Sequence, residues 1–98
     1  VAKPEWWNDG GLKALSARVA KAAPDDDSAN SMRGLVLLGE SGGTWEAGPR
    51  SAAELREAAT HFERGAELCH VEEQTTQRTC LANWCRNQAD TMQMALCG

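Results

Sequence analysis

Apolar residues recur along this chain at steps of three and four, and four segments carry that rhythm. In the first, Leu12, Leu15, Val19 and Ala22 or Ala23 form a stripe that Pro24 closes, which predicts a helix over about 11–23. The residues before it, with Trp6 and Trp7 beside Pro4 and the Gly10-Gly11 pair, read as an irregular lead-in. A second stripe of Ala29, Met32, Leu35 or Val36 and Leu38 predicts a helix over about 28–39, with the acidic run Asp25 to Asp27 at its start as cap and dipole partner. Gly39 is the residue expected at a left-handed terminating position. Gly34, inside the helix, costs about 1 kcal/mol of propensity relative to Ala and implies close approach by a neighbouring helix.

The third segment has the sharpest pattern. Ser51 followed three residues later by Glu54 is a capping box, placed after Pro49 and before Leu55, Ala58, Ala59, Phe62, Ala66 and Cys69. The opposite face carries Arg56, Glu57, Glu63, Arg64 and Glu67, so an amphipathic helix over about 51–69 follows. Between the second and third helices, about 39–50 form a Gly-rich loop in which Trp45 is the large apolar group, expected to fold back onto the core. The fourth segment, about 73–95, is less sharply patterned. Its inner stripe reads as Leu81, Trp84, Cys85, Gln88, Met92 and Leu96, and its polar face is neutral and amide-rich.

Composition narrows the class. The aliphatic content is mainly Ala and Leu, and Phe62 is the one Phe among four Trp and no Tyr, a mix that favours helix over sheet. At 98 residues the chain makes one domain, 1–98, with a single modest core. The expectation is an all-α fold of four helices arranged as stacked antiparallel hairpins. A net charge of −4 without clustered Lys and Arg argues against nucleic acid as a partner. The longest apolar run, Leu35 to Leu38, is far short of the roughly 20 residues that cross a bilayer, so membrane insertion is not expected. The opening residues do not read as a charged-then-apolar leader, and the compartment stays open, with a soluble intracellular protein as the expectation.

Chemistry finds little purchase. Cys69, Cys80, Cys85 and Cys97 lie in the last third of the chain. On one helix Cys80 and Cys85 stand about 7.5 Å apart in rise and about 140° apart in direction, too wide for a disulfide. Reduced thiols acting as small apolar residues are expected, with other disulfide pairings left open. Cys69, His70, Cys80 and Cys85 offer the ligand types of a zinc set, but the Cys-x2-Cys spacing of structural sites is missing. Adjacent Cys69 and His70 diverge and make a poor nucleophile and base. His61 reads as a half-buried helix residue, and His70 as a residue at a helix end. The stretch Gly39 to Thr44 lacks the Gly-Lys-Ser/Thr ending of a phosphate loop and adjoins Glu46. No enzyme, metal or cofactor is therefore expected.

A resemblance adds to this reading. MRGLVLLG followed by SAAELREAATHFERGAELC resembles a tetratricopeptide helical hairpin over roughly 45 residues: Gly34 stands at the small position of the first helix, and Ala58, Phe62 and Gly65 at the small, aromatic and small positions of the second. It departs from the family in its long loop, in Asn30 at the early Trp position, and in His70 where a closing Pro belongs. The resemblance implies a short repeat-like array that binds a protein or peptide. The concave face would be lined by the second and fourth helices, with Asn83, Trp84, Arg86 and Asn87 as binding candidates. The alternatives are Trp84 as ordinary core, and a structural subunit of a larger helical assembly that self-associates.

Overall fold

The computed structural model describes residues 7–39 and 48–97, the last three of these by their backbone. It contains α1 (Asp9–Ala22), α2 (Asp27–Leu38), α3 (Ala52–Leu68) and α4 (Glu72–Cys97), with no strand among the described residues. The all-α expectation is met. Most of the expected loop, Trp6, Trp45, and the side chains of Leu96 and Cys97 lie outside the described residues.

Capping residues explain the helix ends. Helix α1 starts two residues earlier than the apolar stripe indicates, because the Asn8 side chain accepts from Gly11 N at 2.8 Å and draws the glycine pair into the first turn. Asp26 caps α2 by accepting from Ser28 N. Gly39 closes α2 in the left-handed region at φ 82°, with its N–H donating to the Leu35 and Val36 carbonyls. At α3 both halves of the capping box are formed: Ser51 Oγ accepts from Glu54 N at 3.1 Å, and the Glu54 carboxylate accepts from Ser51 N at 3.0 Å.

The helices pack in chain order, α1 on α2, α2 on α3 and α3 on α4, consistent with stacked hairpins. The core joins Leu37 and Leu38 of α2, Leu55, Ala58, Ala59 and Phe62 of α3, and Ala82, Cys85 and Ala89 of α4. In α2, Val36 and Leu37 turn inward and Leu35 is left exposed, which settles the choice between Leu35 and Val36. Phe62, at 1 % exposure, lies over Gly34: a Cβ added there would stand 2.9 Å from the ring carbons Cε1 and Cζ. The close approach expected at Gly34 is thus made by an aromatic edge.

The inner stripe of α4 differs from expectation. Trp84 and Gln88 are exposed, while Ala82, Cys85 and Ala89 are buried against α3, with Leu81 and Met92 partly covered beside them. Small side chains on both helices, with Ala58 and Ala59 of α3 fully buried, leave no room at this seam for an indole.

Charged side chains bind the layers. Arg78 of α4 passes over Gly65 of α3 and donates to the Gly65 carbonyl at 3.3 Å and to Asp27 Oδ2 at 3.0 Å, reaching the first turn of α2. Gly65 leaves this path open, since a Cβ there would lie 3.4 Å from Arg78 Cδ and 3.0 Å from Ser31 Oγ. The hydrogen bond from Arg78 holds the Asp27 carboxyl below its ordinary range, and that from Lys13, at 2.6 Å, does the same for Glu54, helped by Ser51 N. A carboxylate with a depressed folded pKa contributes stability above its unfolded value of about 4 and loses it as pH falls through the folded value. Unfolding stability is therefore expected to decline on acidification below about pH 4. Denaturant titrations of Asp27→Asn and Glu54→Gln between pH 5 and 2 should show a flatter decline than the parent, and equal slopes would refute the assignment.

Candidate functional site

The four residues expected to bind a partner all lie on α4, but they do not form one patch. Asn83 and Asn87, one turn apart, share the outer stripe and are exposed. Trp84 lies on one flank of that stripe and is 45 % exposed. Arg86, two residues on and therefore about 200° around the helix from Trp84, lies on the other flank. Its guanidinium is engaged by Glu63 of α3, whose hydrogen bond raises the Arg86 pKa above its ordinary value. That seam is extended by Arg56, which donates to Asp90 and Gln93. Arg86 is thus an interhelical strap, whereas Trp84 is a free apolar surface.

The environment of Trp84 follows from the helical phase. Gln77, Cys80, Asn87, Gln88 and Thr91 occur at three-, four- and seven-residue steps from it, and all are exposed and uncharged. A neutral, amide-bearing strip with an indole at its centre results. On α2, Leu35 is 38 % exposed, and α2 and α4 lie against α3 with little direct contact to one another.

A second polar constellation lies on the far side of α3, where α1, α2 and α3 meet. Asn30 is buried at 3 % exposure and donates its amide N–H groups to the carbonyls of Pro24, at 3.0 Å, and Asp26, at 2.9 Å. Its Oδ1 is thereby left to face His61 Nδ1, 3.0 Å away. His61 Nε2 stands 3.3 Å from Glu57 Oε2. Arg33 donates to the same carboxylate through Nε at 3.1 Å, with Nη2 in ion-pair contact at 3.0 Å, and through Nη1 to Lys13 O and to the fully buried Ser16 Oγ. These side chains border a cleft of about 240 Å³.

Sequence reasoning missed this cluster. Its one local signal is the Glu57-to-His61 step of four residues, which places both on one helix face. Asn30 and Arg33 join only through packing. Of the cysteine side chains described, Cys85 is fully buried, Cys69 half-buried and Cys80 exposed. Cys69 Sγ accepts from Val71 N at 3.4 Å in the turn between α3 and α4. His70 is exposed in the same turn. Among the described residues no three His, Cys, Asp or Glu side chains converge as a metal site would require, and no helix is long and apolar enough to cross a membrane. Compared with models of protein families, with curated proteins and with solved structures, the chain matches none.

Proposed function

We propose that this chain is a protein-binding module without catalytic activity, built as a short, divergent tetratricopeptide-like array. The observation that carries this reading is Trp84, an indole 45 % exposed at the centre of an uncharged strip on the terminal helix. Tryptophan exposes its large apolar area at a cost in water, and buried indoles are over-represented among residues that dominate binding energy. The surrounding Asn and Gln side chains present donors and acceptors together and suit the backbone and amides of a peptide or helix placed across α4. The Gly34–Phe62 approach and the open path over Gly65 support the repeat-like hairpin on which the strip is displayed.

The test is affinity capture with wild type, Trp84→Ala and Arg86→Glu, followed by titration of the captured partner. Trp84→Ala should weaken binding by roughly 30-fold, the effect of losing an interface hot spot of about 2 kcal/mol. Arg86→Glu, on the other flank, should leave affinity within about threefold. A partner bound equally well by Trp84→Ala would remove the proposed surface. A structural subunit that associates with further copies is the second reading, supported by Met94, 73 % exposed near the end of α4. A sedimentation coefficient that rises with concentration and falls back in the Trp84→Ala protein would favour it.

A further inference from the structure

The cleft between α1, α2 and α3 is independent of the α4 strip and has features of a small-molecule site. Its floor is rigid, because Asn30 is anchored to the Pro24 and Asp26 carbonyls and in turn orients the His61 ring. Its wall is a guanidinium held by bonds to Glu57, Lys13 O and Ser16, leaving a proton of Nη2 uncommitted. Arg33 and Glu57 cancel in charge. Lys21, on the rim, is exposed and has no ion-pair partner among the described residues. The side chains that line the cleft thus carry an excess of positive charge, Lys21 and Arg33 against Glu57, in a chain whose net charge is −4. Ala17, Ala20 and Pro24 supply an apolar side to the same space.

We infer that this cleft binds a small free carboxylic acid with a short alkyl chain. The carboxylate sits between the Lys21 ammonium and the uncommitted Arg33 Nη2 proton, as charge-assisted hydrogen bonding favours. The alkyl part lies on Ala17, Ala20 and Pro24. The volume of about 240 Å³ fits a molecule of this size and is small for a folded segment of another protein. Glu57, the one acidic side chain at the cleft, opposes the anion and sets the affinity low, in the millimolar range.

Titration of isotopically labelled protein with sodium butyrate, at an ionic strength held constant with sodium chloride, tests the site by NMR. Saturable shifts are expected at the His61 ring, the Arg33 Nε–H and the Ala20 amide, with chloride alone producing none. Lys21→Gln removes the rim charge from an exposed position and should weaken binding roughly fivefold without disturbing the fold. Glu57→Gln retains an acceptor for Arg33, removes the opposing charge and should tighten binding several-fold. Shifts that grow linearly without saturation, or a butyrate affinity unchanged by Lys21→Gln, would overturn the proposal.

Discussion

Replacing Arg50 by Ala should lower stability by about 2–4 kcal/mol, a drop of roughly 10 °C or more in Tm for a domain of this size. The Arg50 side chain is 7 % exposed and spends its guanidinium on the ends of two helices. Nη1 and Nη2 form a two-pronged pair with Asp9 at 2.8 and 2.6 Å, fastening the first turn of α1. Nε and Nη2 donate to the carbonyls of Leu37, at 2.8 Å, and Val36, at 3.0 Å, in the last turn of α2. The side chain is thus both an ion pair and a cation placed at the negative end of a helix dipole. The hydrogen bond to Asp9 raises the arginine pKa further, so its charge persists throughout the useful pH range. Removing it takes the guanidinium from a carboxylate only 21 % exposed, which keeps Lys13 at 3.6 Å and Gly48 N at 3.2 Å, and deprives the Leu37 and Val36 carbonyls of a charged donor. Arg50→Lys should recover less than half the loss, because an ammonium cannot span Asp9 and both carbonyls with a planar fork. Chemical denaturation is the measurement, and a loss below about 0.5 kcal/mol for Arg50→Ala would show that the clamp is solvated and idle.

The second large effect is expected where Phe62 meets Gly34. Phe62→Ala should cost about 3–5 kcal/mol, since it empties the centre of a core in which Leu37, Ala58 and Ala59 are already fully packed. More informative is Gly34→Ala. On propensity alone it would stabilise α2 by about 1 kcal/mol. The new methyl, however, would press on ring carbons 2.9 Å away, and a ring at 1 % exposure has nowhere to retreat. Overpacking of this kind costs about 1–3 kcal/mol, so the net change should be destabilising. In a Phe62→Leu background the clash is relieved, and Gly34→Ala should then become neutral or stabilising. The double-mutant cycle should therefore show a coupling of about 1 kcal/mol or more. Strict additivity would mean that the glycine is there for some reason other than the ring.

Both predictions concern contacts that differ in how far they could be foreseen. The Phe62 partnership was half legible: an interior glycine in one amphipathic helix and a single phenylalanine in the next imply a close crossing, although not which atoms meet. The Arg50 clamp was not legible, because its acceptors are one carboxylate some forty positions earlier and two backbone carbonyls. Neither leaves a local pattern. The same holds for the cleft at His61, where the local signal reached Glu57 and stopped. On α4 the weak apolar periodicity placed Trp84 and Gln88 inside and passed over Ala82 and Ala89, since hydrophobicity marks what prefers burial and not what a narrow seam can admit.

What the amino-acid order determined by itself was local. The four helices, the capping box at Ser51 and Glu54 and the left-handed stop at Gly39 each depend on residues within one or two turns, where backbone hydrogen bonding and side-chain spacing act directly. Tertiary structure decided which faces turn inward, which arginines become straps, and which polar groups gather into a cleft. Those outcomes rest on volumes and charges brought together from distant positions, and they exist only once the helices have packed.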